Sequence, residues 1–419
     1  MIESSDIENQ LNQFMEQRFG KESFTPGIEK RRRIFETYIS QIKTLGCRII
    51  SIAGTNGKGE TALTLEKLFS LSNYSTALWT SPHILSICER FSFNGEIISG
   101  SELLKFFQQS WEELERIKVS LSYYEFLFLC FCKLSLKYKP DILILEVGLG
   151  GRLDTVNLLD ADLSIITSIS RDHQEILGNS YKEILLEKIA ISRKNMPLIT
   201  ALETKYLCQI CRQYSSDNNI KWYDLFSNDS TLINNSYSFR NQLLAMNVFY
   251  IFTNKYLLSE VNKLKALRNK LTEKTLFSYK ARSEKMTLGT RSFIFIGAHN
   301  LDGIRKLTSC SISKPFDFTL ISYSHRDNNE ICTGISMYLR NSDKFGNVLL
   351  TNFTHPRAMD LDEIYNKLVH DNTVFFEKDW NKFFENDKYE HKTILVSGSY
   401  YFIGEFQKYL LNYSSLVTR

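Results

Sequence analysis

Five short apolar runs rich in β-formers, "CRIISIAG", "STALWTS", "DILILEVG", "LSIITSIS" and "MPLITAL", recur through the first 202 residues with helix-length stretches between them. Strands that return in the same direction need long crossovers, which helices supply. The rhythm therefore predicts a parallel sheet in an α/β layer fold. In such sheets ligands sit at the carboxyl ends of the strands. Each of the first four runs ends in a polar or glycine cluster, and these ends are expected to face one site. A polar, asparagine-rich stretch at residues 215 to 239 breaks the rhythm, and a helical segment follows to about residue 272. A second α/β pattern then runs through "RSFIFIGAHN", "FDFTLISYS", "NVLLTNF" and "KTILVSGSYYFIGEF". At 419 residues the chain exceeds one ordinary core, so two domains are expected, residues 1 to 276 and 277 to 419.

The net charge is only +4, from 51 basic and 47 acidic residues, and gives no global field that would draw nucleic acid or an anionic membrane. A small-molecule partner is expected. Eight cysteines and the polar, acidic opening "MIESSDIENQ" point to a reducing cytoplasm. The single CxxC, "CQIC" at Cys208 to Cys211, has no second pair and reads as two ordinary cysteines on one helix face. "FLFLCFC", Phe126 to Cys132, stops well short of the ~20 apolar residues of a membrane span and reads as a buried helix. The basic run "KRRR", Lys30 to Arg33, reads as a solvated helix face.

After the first apolar run comes "SIAGTNGKGET", Ser51 to Thr61. It departs from the phosphate-loop pattern GxxxxGK[ST], which would put glycine at Ile52 and a hydroxyl at Gly59. Gly54, Gly57 and Gly59 would still let backbone N–H groups and a helix N-terminus surround an anion, with Lys58 adding a point charge. "LEVGLGGRLDTVN" puts Glu146 at the end of an apolar strand, followed by Asp154. "SISRDHQEILG" places Asp172 and His173 ahead of the helix carrying Glu187 and Lys188. A carboxylate in such a run is costly unless paired or bound to a cation, and these donors around phosphate suit Mg²⁺.

"AGTNGKG", "TSPH" with "ERFSFNG", "EVGLGGRLDTVN", "ITSISRDHQEILG", "EKIA", "GAHN" and "SGSYYFIGE" stand in the order found in folylpolyglutamate synthase and dihydrofolate synthase, of the Mur ligase superfamily. The chain resembles that family from about residue 26 to 406. The resemblance implies a Mur ligase-like central P-loop ATPase domain with a parallel-rich sheet and a smaller C-terminal Rossmann-like α/β domain. It implies an ATP-dependent ligase that activates a carboxylate as an acyl phosphate and joins it to the amino group of L-glutamate, acting as a monomer. Gly54, Thr55, Asn56, Gly57, Lys58, Gly59 and Glu60 then form the nucleotide loop. Ser81 and Glu146 resemble ligands of one Mg²⁺, and His173 a ligand of a second. Lys188 matches the lysine that relatives carry as a carbamate. Arg282 of "SYKARSE" fits an arginine that reaches ATP phosphates, and His299, Asn300 and Ser399 match positions facing the ligation centre. Lys58, Lys188, His299 and Ser399 are the expected catalytic side chains.

The departures fall on ATP recognition. Glu60 replaces the family's Ser or Thr, Ile296 its aspartate before GAHN, Ala245 its adenine-facing asparagine, and Phe239 a glycine; Asn247 is too far round the helix to substitute. The expected acceptor is dihydropteroate, a reduced folate, or both, with "FTPGIEKRRRIFE" and "TSPHILSICERF" favouring dihydropteroate. The alternatives are a Mur-type ligase for another carboxylate, and a divergent member of the family that binds folate or nucleotide without turnover.

Overall fold

The computed structural model describes residues 5–20, 22, 28–226, 233, 237–253, 282–309, 314–368, 373–385 and 387–417. Two compact units divide the chain, Met1–Lys270 and Leu271–Arg419. The boundary expected near residue 277 lies outside the described residues.

The first unit is built on eight strands: β1 (Arg48–Ala53), β2 (Thr76–Trp79), β3 (Phe91–Phe93), β4 (Glu96–Ile97), β5 (Ile142–Glu146), β6 (Leu163–Ile166), β7 (Pro197–Thr200) and β8 (Lys221–Asp224). They lie in the order β4-β3-β2-β5-β1-β6-β7-β8. β2, β5, β1 and β6 are adjacent and parallel, with Trp79 opposite Leu145, Ile52 opposite Glu146, and Ala53 opposite Ile166. The Ile- and Leu-rich runs of β1, β5 and β6 are buried on both faces, the expected sequence of a sheet covered by helices on each side. The four polar clusters foreseen at strand ends therefore emerge side by side along one sheet edge.

Two features depart from the expected rhythm. The sheet ends in an antiparallel β3–β4 hairpin whose turn, Asn94-Gly95, has φ values of 56° and 80°. Asn-Gly turns of this kind match the twist of paired strands. The asparagine-rich stretch expected only to interrupt the pattern contains β8, which pairs in parallel with β7. As an edge strand it needs little apolar sequence, and Lys221 and Tyr223 are exposed while Asp224 is buried.

Phe126 to Cys132 are buried in the Tyr123–Tyr138 helix, which a Ser122/Glu125 capping box starts. Trp79 of β2 packs edge-on against Phe128 of this helix at 5.5 Å between ring centroids. No helix among the described residues is long and apolar enough to cross a membrane. Cys208 and Cys211 lie on the Lys205–Asp217 helix, and the described cysteines are free. Arg32 and Arg33 are exposed on the Ile28–Leu45 helix.

The second unit carries β9 (Arg282–Leu288), β10 (Arg291–Ile296), β11 (Phe318–Ser322), β12 (Asn347–Asn352), β13 (Val374–Asp379) and β14 (Thr393–Gly398), ordered β13-β12-β11-β14-β10-β9. All neighbours are parallel except β9, which forms an antiparallel hairpin with β10. Polar β9 and half-buried β13 are not among the runs the apolar pattern picks out. Ile321, Tyr338, Leu350 and Leu395 belong to the core of this unit.

Candidate active site

Residues Gly54 to Gly57 link β1 to the Lys58–Leu71 helix. Gly54 has a φ of 152°, and a Cβ there would lie 1.9 Å from Thr167 Oγ1. That close approach lets the end of β6 hold the loop. Thr167 Oγ1 donates to Asn56 O (2.7 Å), Ser168 Oγ donates to the same oxygen (3.0 Å) and accepts from Asn56 N (2.9 Å). Thr55 N donates to Ser168 O (2.9 Å), while Thr55 Oγ1 accepts from Ser170 N (3.0 Å). Thr167, Ser168 and Ser170 hold the loop in place, a role that sequence reading passed over, although the hydroxyl-rich "TSIS" after an apolar strand was the available signal.

Thr61 N–H is the first to bond back within the helix, to Gly57 O at 3.0 Å. The amides of Lys58, Gly59 and Glu60 are thus its N-terminal donors, where a helix favours anions. Lys58 Nζ folds over the loop and donates to Gly54 O (3.1 Å) and Thr55 O (3.3 Å). Lys188 Nζ reaches the same Gly54 carbonyl from its own helix, at 3.0 Å. Lys188 is only 4% exposed, and burial, then the nearby Lys58 charge, push its amine down to about 7 against the opposing pull of Asp172 and Asp154.

Ser81 follows β2 and Glu146 ends β5, so adjacent parallel strands bring them together: Ser81 N donates to Glu146 Oε2 at 3.0 Å. Both are buried, and Ser81 Oγ has no hydrogen-bond partner. An orphaned hydroxyl beside a buried carboxylate is an oxygen pair suited to a hard cation. Among the described residues no three His, Cys, Asp or Glu side chains gather into a metal cage. Mg²⁺ does not need one when substrate phosphates and water complete its shell.

His173 is half-exposed at φ 50°, with Nδ1 3.7 Å from Glu175 Oε1. Asp172 is buried beside it and accepts His173 N at 3.1 Å. Asp154 is buried and caps the short turn after it, accepting Leu149 N (3.0 Å) and Val156 N (2.9 Å); burial raises its carboxyl to about 6. Glu146→Gln is expected to raise the Mg²⁺ concentration for half-maximal turnover about tenfold, and His173→Ala by less, since an exposed ligand is replaced by water at low cost. Unchanged metal titrations in both would make these strand-end residues structural caps.

Glu60 turns away from the loop's amides. Its carboxylate accepts Ser238 Oγ (2.6 Å) and Asn241 Nδ2 (2.8 Å) from the Tyr237–Phe252 helix. On that helix Ala245 is fully buried, and Asn247 donates to Leu243 O (2.8 Å) within the helix itself. Ala245→Asn must bury an amide where a methyl group packs. It is expected to cost about 1–3 kcal/mol, read as a lower denaturant midpoint.

In the second unit His299, Asn300 and Ser399 follow adjacent β10 and β14. Asn300 Oδ1 caps the next helix by accepting Gly303 N (2.8 Å), Ser399 Oγ lies 2.8 Å from Ser324 Oγ, and the His299 ring packs against Tyr400 with centroids 5.4 Å apart. Ile296 ends β10, where its carbonyl accepts Ser397 Oγ at 2.9 Å. Arg282 opens β9, and its side chain lies outside the described residues.

A glycine loop at a central strand of a parallel-rich sheet, an acidic and hydroxyl pair on neighbouring strand ends, and a second α/β unit define a two-unit α/β protein with a candidate phosphate site. No protein-family model matches it. It is 26% identical over 418 residues to the dihydrofolate synthase/folylpolyglutamate synthase of Bacillus subtilis (strain 168), across 92% of this chain and 95% of that one. Over 147 residues it is 46% identical to the protein of the same name from Buchnera aphidicola subsp. Acyrthosiphon pisum, a stretch that spans 35% of each chain, about a third of that relative's length. Its fold matches a bifunctional folylpolyglutamate synthase/dihydrofolate synthase of Yersinia pestis solved with AMPPNP and a Mn ion, with a TM-score of 0.75 and 23% identity, covering 97% of this chain and 98% of that one. Over nearly its whole length the chain is thus similar to a dihydrofolate synthase/folylpolyglutamate synthase, and it shares the fold of a solved one.

Proposed function

We propose that this chain is an ATP-dependent ligase that joins L-glutamate to dihydropteroate, to reduced folates, or to both. The convergence of the Gly54–Lys58 loop, Ser81 and Glu146 on one sheet edge carries the reading. The γ-phosphoryl group passes from ATP to the acceptor's carboxylate, and the amine of glutamate then attacks the acyl carbon and expels phosphate. Lys58 and the amides of Lys58, Gly59 and Glu60 hold the nucleotide phosphates, which compete with Gly54 O and Thr55 O for the lysine. A divalent cation held by Ser81 and Glu146 would neutralise charge between the phosphates, and His173 is the proposed ligand of a second. A buried amine with a pKa near 7 is about half neutral at neutral pH, and the neutral form can add carbon dioxide, which supports Lys188 as a carbamate. His299, Asn300 and Ser399 are proposed to serve the glutamate half of the reaction. The charge balance and the free described cysteines support a cytoplasmic enzyme with small-molecule partners, proposed to act as a monomer.

The test is phosphate release by purified protein given ATP, Mg²⁺, glutamate and dihydropteroate. Release that requires all four is expected. Nucleotide binding with no release on dihydropteroate or on reduced folate would favour the non-catalytic reading, which the replacements at Glu60, Ala245 and Ile296 motivate.

A further inference from the structure

The side chains of three residues join the loop to a part of the chain some 180 residues away. Glu60 is the third residue of the helix that follows the loop, while Ser238 and Asn241 are the second and fifth of the Tyr237–Phe252 helix. Both oxygens of Glu60 are engaged, Oε1 by Ser238 Oγ at 2.6 Å and Oε2 by Asn241 Nδ2 at 2.8 Å. Ser238 Oγ in turn accepts Gln242 Nε2 at 3.1 Å. The Asn241 amide also covers Gly57. A Cβ on Gly57 would lie 2.3 Å from Asn241 Oδ1 and 2.8 Å from its Cγ and Nδ2, so the amide occupies the space a side chain would take. Gly57 is the left-handed residue, φ 89°, at which the loop becomes helix and its amides turn outward. One carboxylate therefore fixes the amide that closes this turn.

We infer that Glu60 is a positioning residue for nucleotide binding, acting through Asn241 on Gly57 and not through the cation. The inference rests on the proposed function in taking the loop as the nucleotide site. A carboxylate acting by charge would repel phosphate or attract cation, so its removal would tighten nucleotide or shift the metal requirement. A carboxylate that holds the turn would do the opposite on removal. Nucleotide would bind more weakly at unchanged metal dependence, and the loss would coincide with that caused by removing Asn241.

The experiment measures binding of AMPPNP by calorimetry at saturating Mg²⁺, the Mg²⁺ titration, and the KM for ATP and kcat, for the full chain and for Glu60→Ala, Asn241→Ala, the double variant and Glu60→Gln. Each single alanine variant is expected to weaken AMPPNP and raise the KM about tenfold with kcat much less affected, and the double variant to be no worse than either single one. Glu60→Gln keeps an acceptor oxygen for Ser238 and can pair its amide with a flipped Asn241, so it is expected to stay within about threefold of the native chain. Tighter AMPPNP in Glu60→Ala, a shifted Mg²⁺ midpoint, additive losses, or a Gln variant as impaired as Ala would each overturn the positioning role. Failure of the native chain to bind AMPPNP would instead remove the nucleotide site, and the inference with it. Because the contact joins two helices, the variants are also compared by thermal melting. A variant melted at the assay temperature is replaced by Ser238→Ala, which removes one bond to Glu60 and is expected to weaken AMPPNP by a smaller factor; unchanged binding there also counts against the inference.

Discussion

Lys58→Ala is expected to lower the rate of ligation about a thousandfold, a loss of roughly 4 kcal/mol in transition-state stabilisation. The ammonium lies over the loop proposed to hold the phosphates, on two of its carbonyls 3.1 and 3.3 Å away. Cation and backbone amides remain in the variant, which is why some activity should persist. Single-turnover phosphate transfer checks the claim, with thermal melting to show that the sheet has not been disturbed. Near-normal turnover would take this loop out of the mechanism.

Lys188→Met is expected to reduce ligation by about a hundredfold or more while making the protein more stable at neutral pH. The amine is buried, and its folded pKa, about 7, is depressed from an ordinary value of 10.5. Between these two values the unfolded chain binds a proton that the folded one does not, so native stability rises as pH rises from about 7 to 10.5 and its burial penalty is fully felt below 7. Methionine of similar length removes that penalty and the slope together. Denaturant melts of both proteins at pH 6.5 and 9.5 read the difference. A variant less stable than the native chain at pH 6.5 would mean that the bond to Gly54 O outweighs the cost of burying the amine.

Much of the first site was legible because parallel sheets translate sequence into place. Each apolar run ends where its polar cluster begins, so "AGTNGKG", "TSPH", "EVGLGG" and "TSIS" had to emerge from one edge once β2, β5, β1 and β6 lay side by side. The order of those strands was not legible, since no residue states that β5 inserts between β2 and β1. Glu60 shows the limit clearly. Sequence placed a carboxylate beside phosphate, but its partners, Ser238 and Asn241, are some 180 residues away in the chain and nothing local announces them. Edge strands β8 and β9 escaped for another reason: with one side open to solvent they do not need the apolar runs by which buried strands are recognised.

In the second unit β14 is the last strand in chain order, yet it lies between β10 and β11, at the middle of the sheet. Until residues 393 to 398 have left the ribosome, pairing in this sheet is limited to β9–β10 on one side and β11–β12–β13 on the other, with the facing edges unpaired. Such open edges are where newly made chains pair with one another. Expression of this protein should therefore respond to chaperone supply and growth temperature more than the stability of its finished form would suggest. A translation stop before β14 would leave a hole in the centre of the sheet where a stop before an edge strand would only trim it.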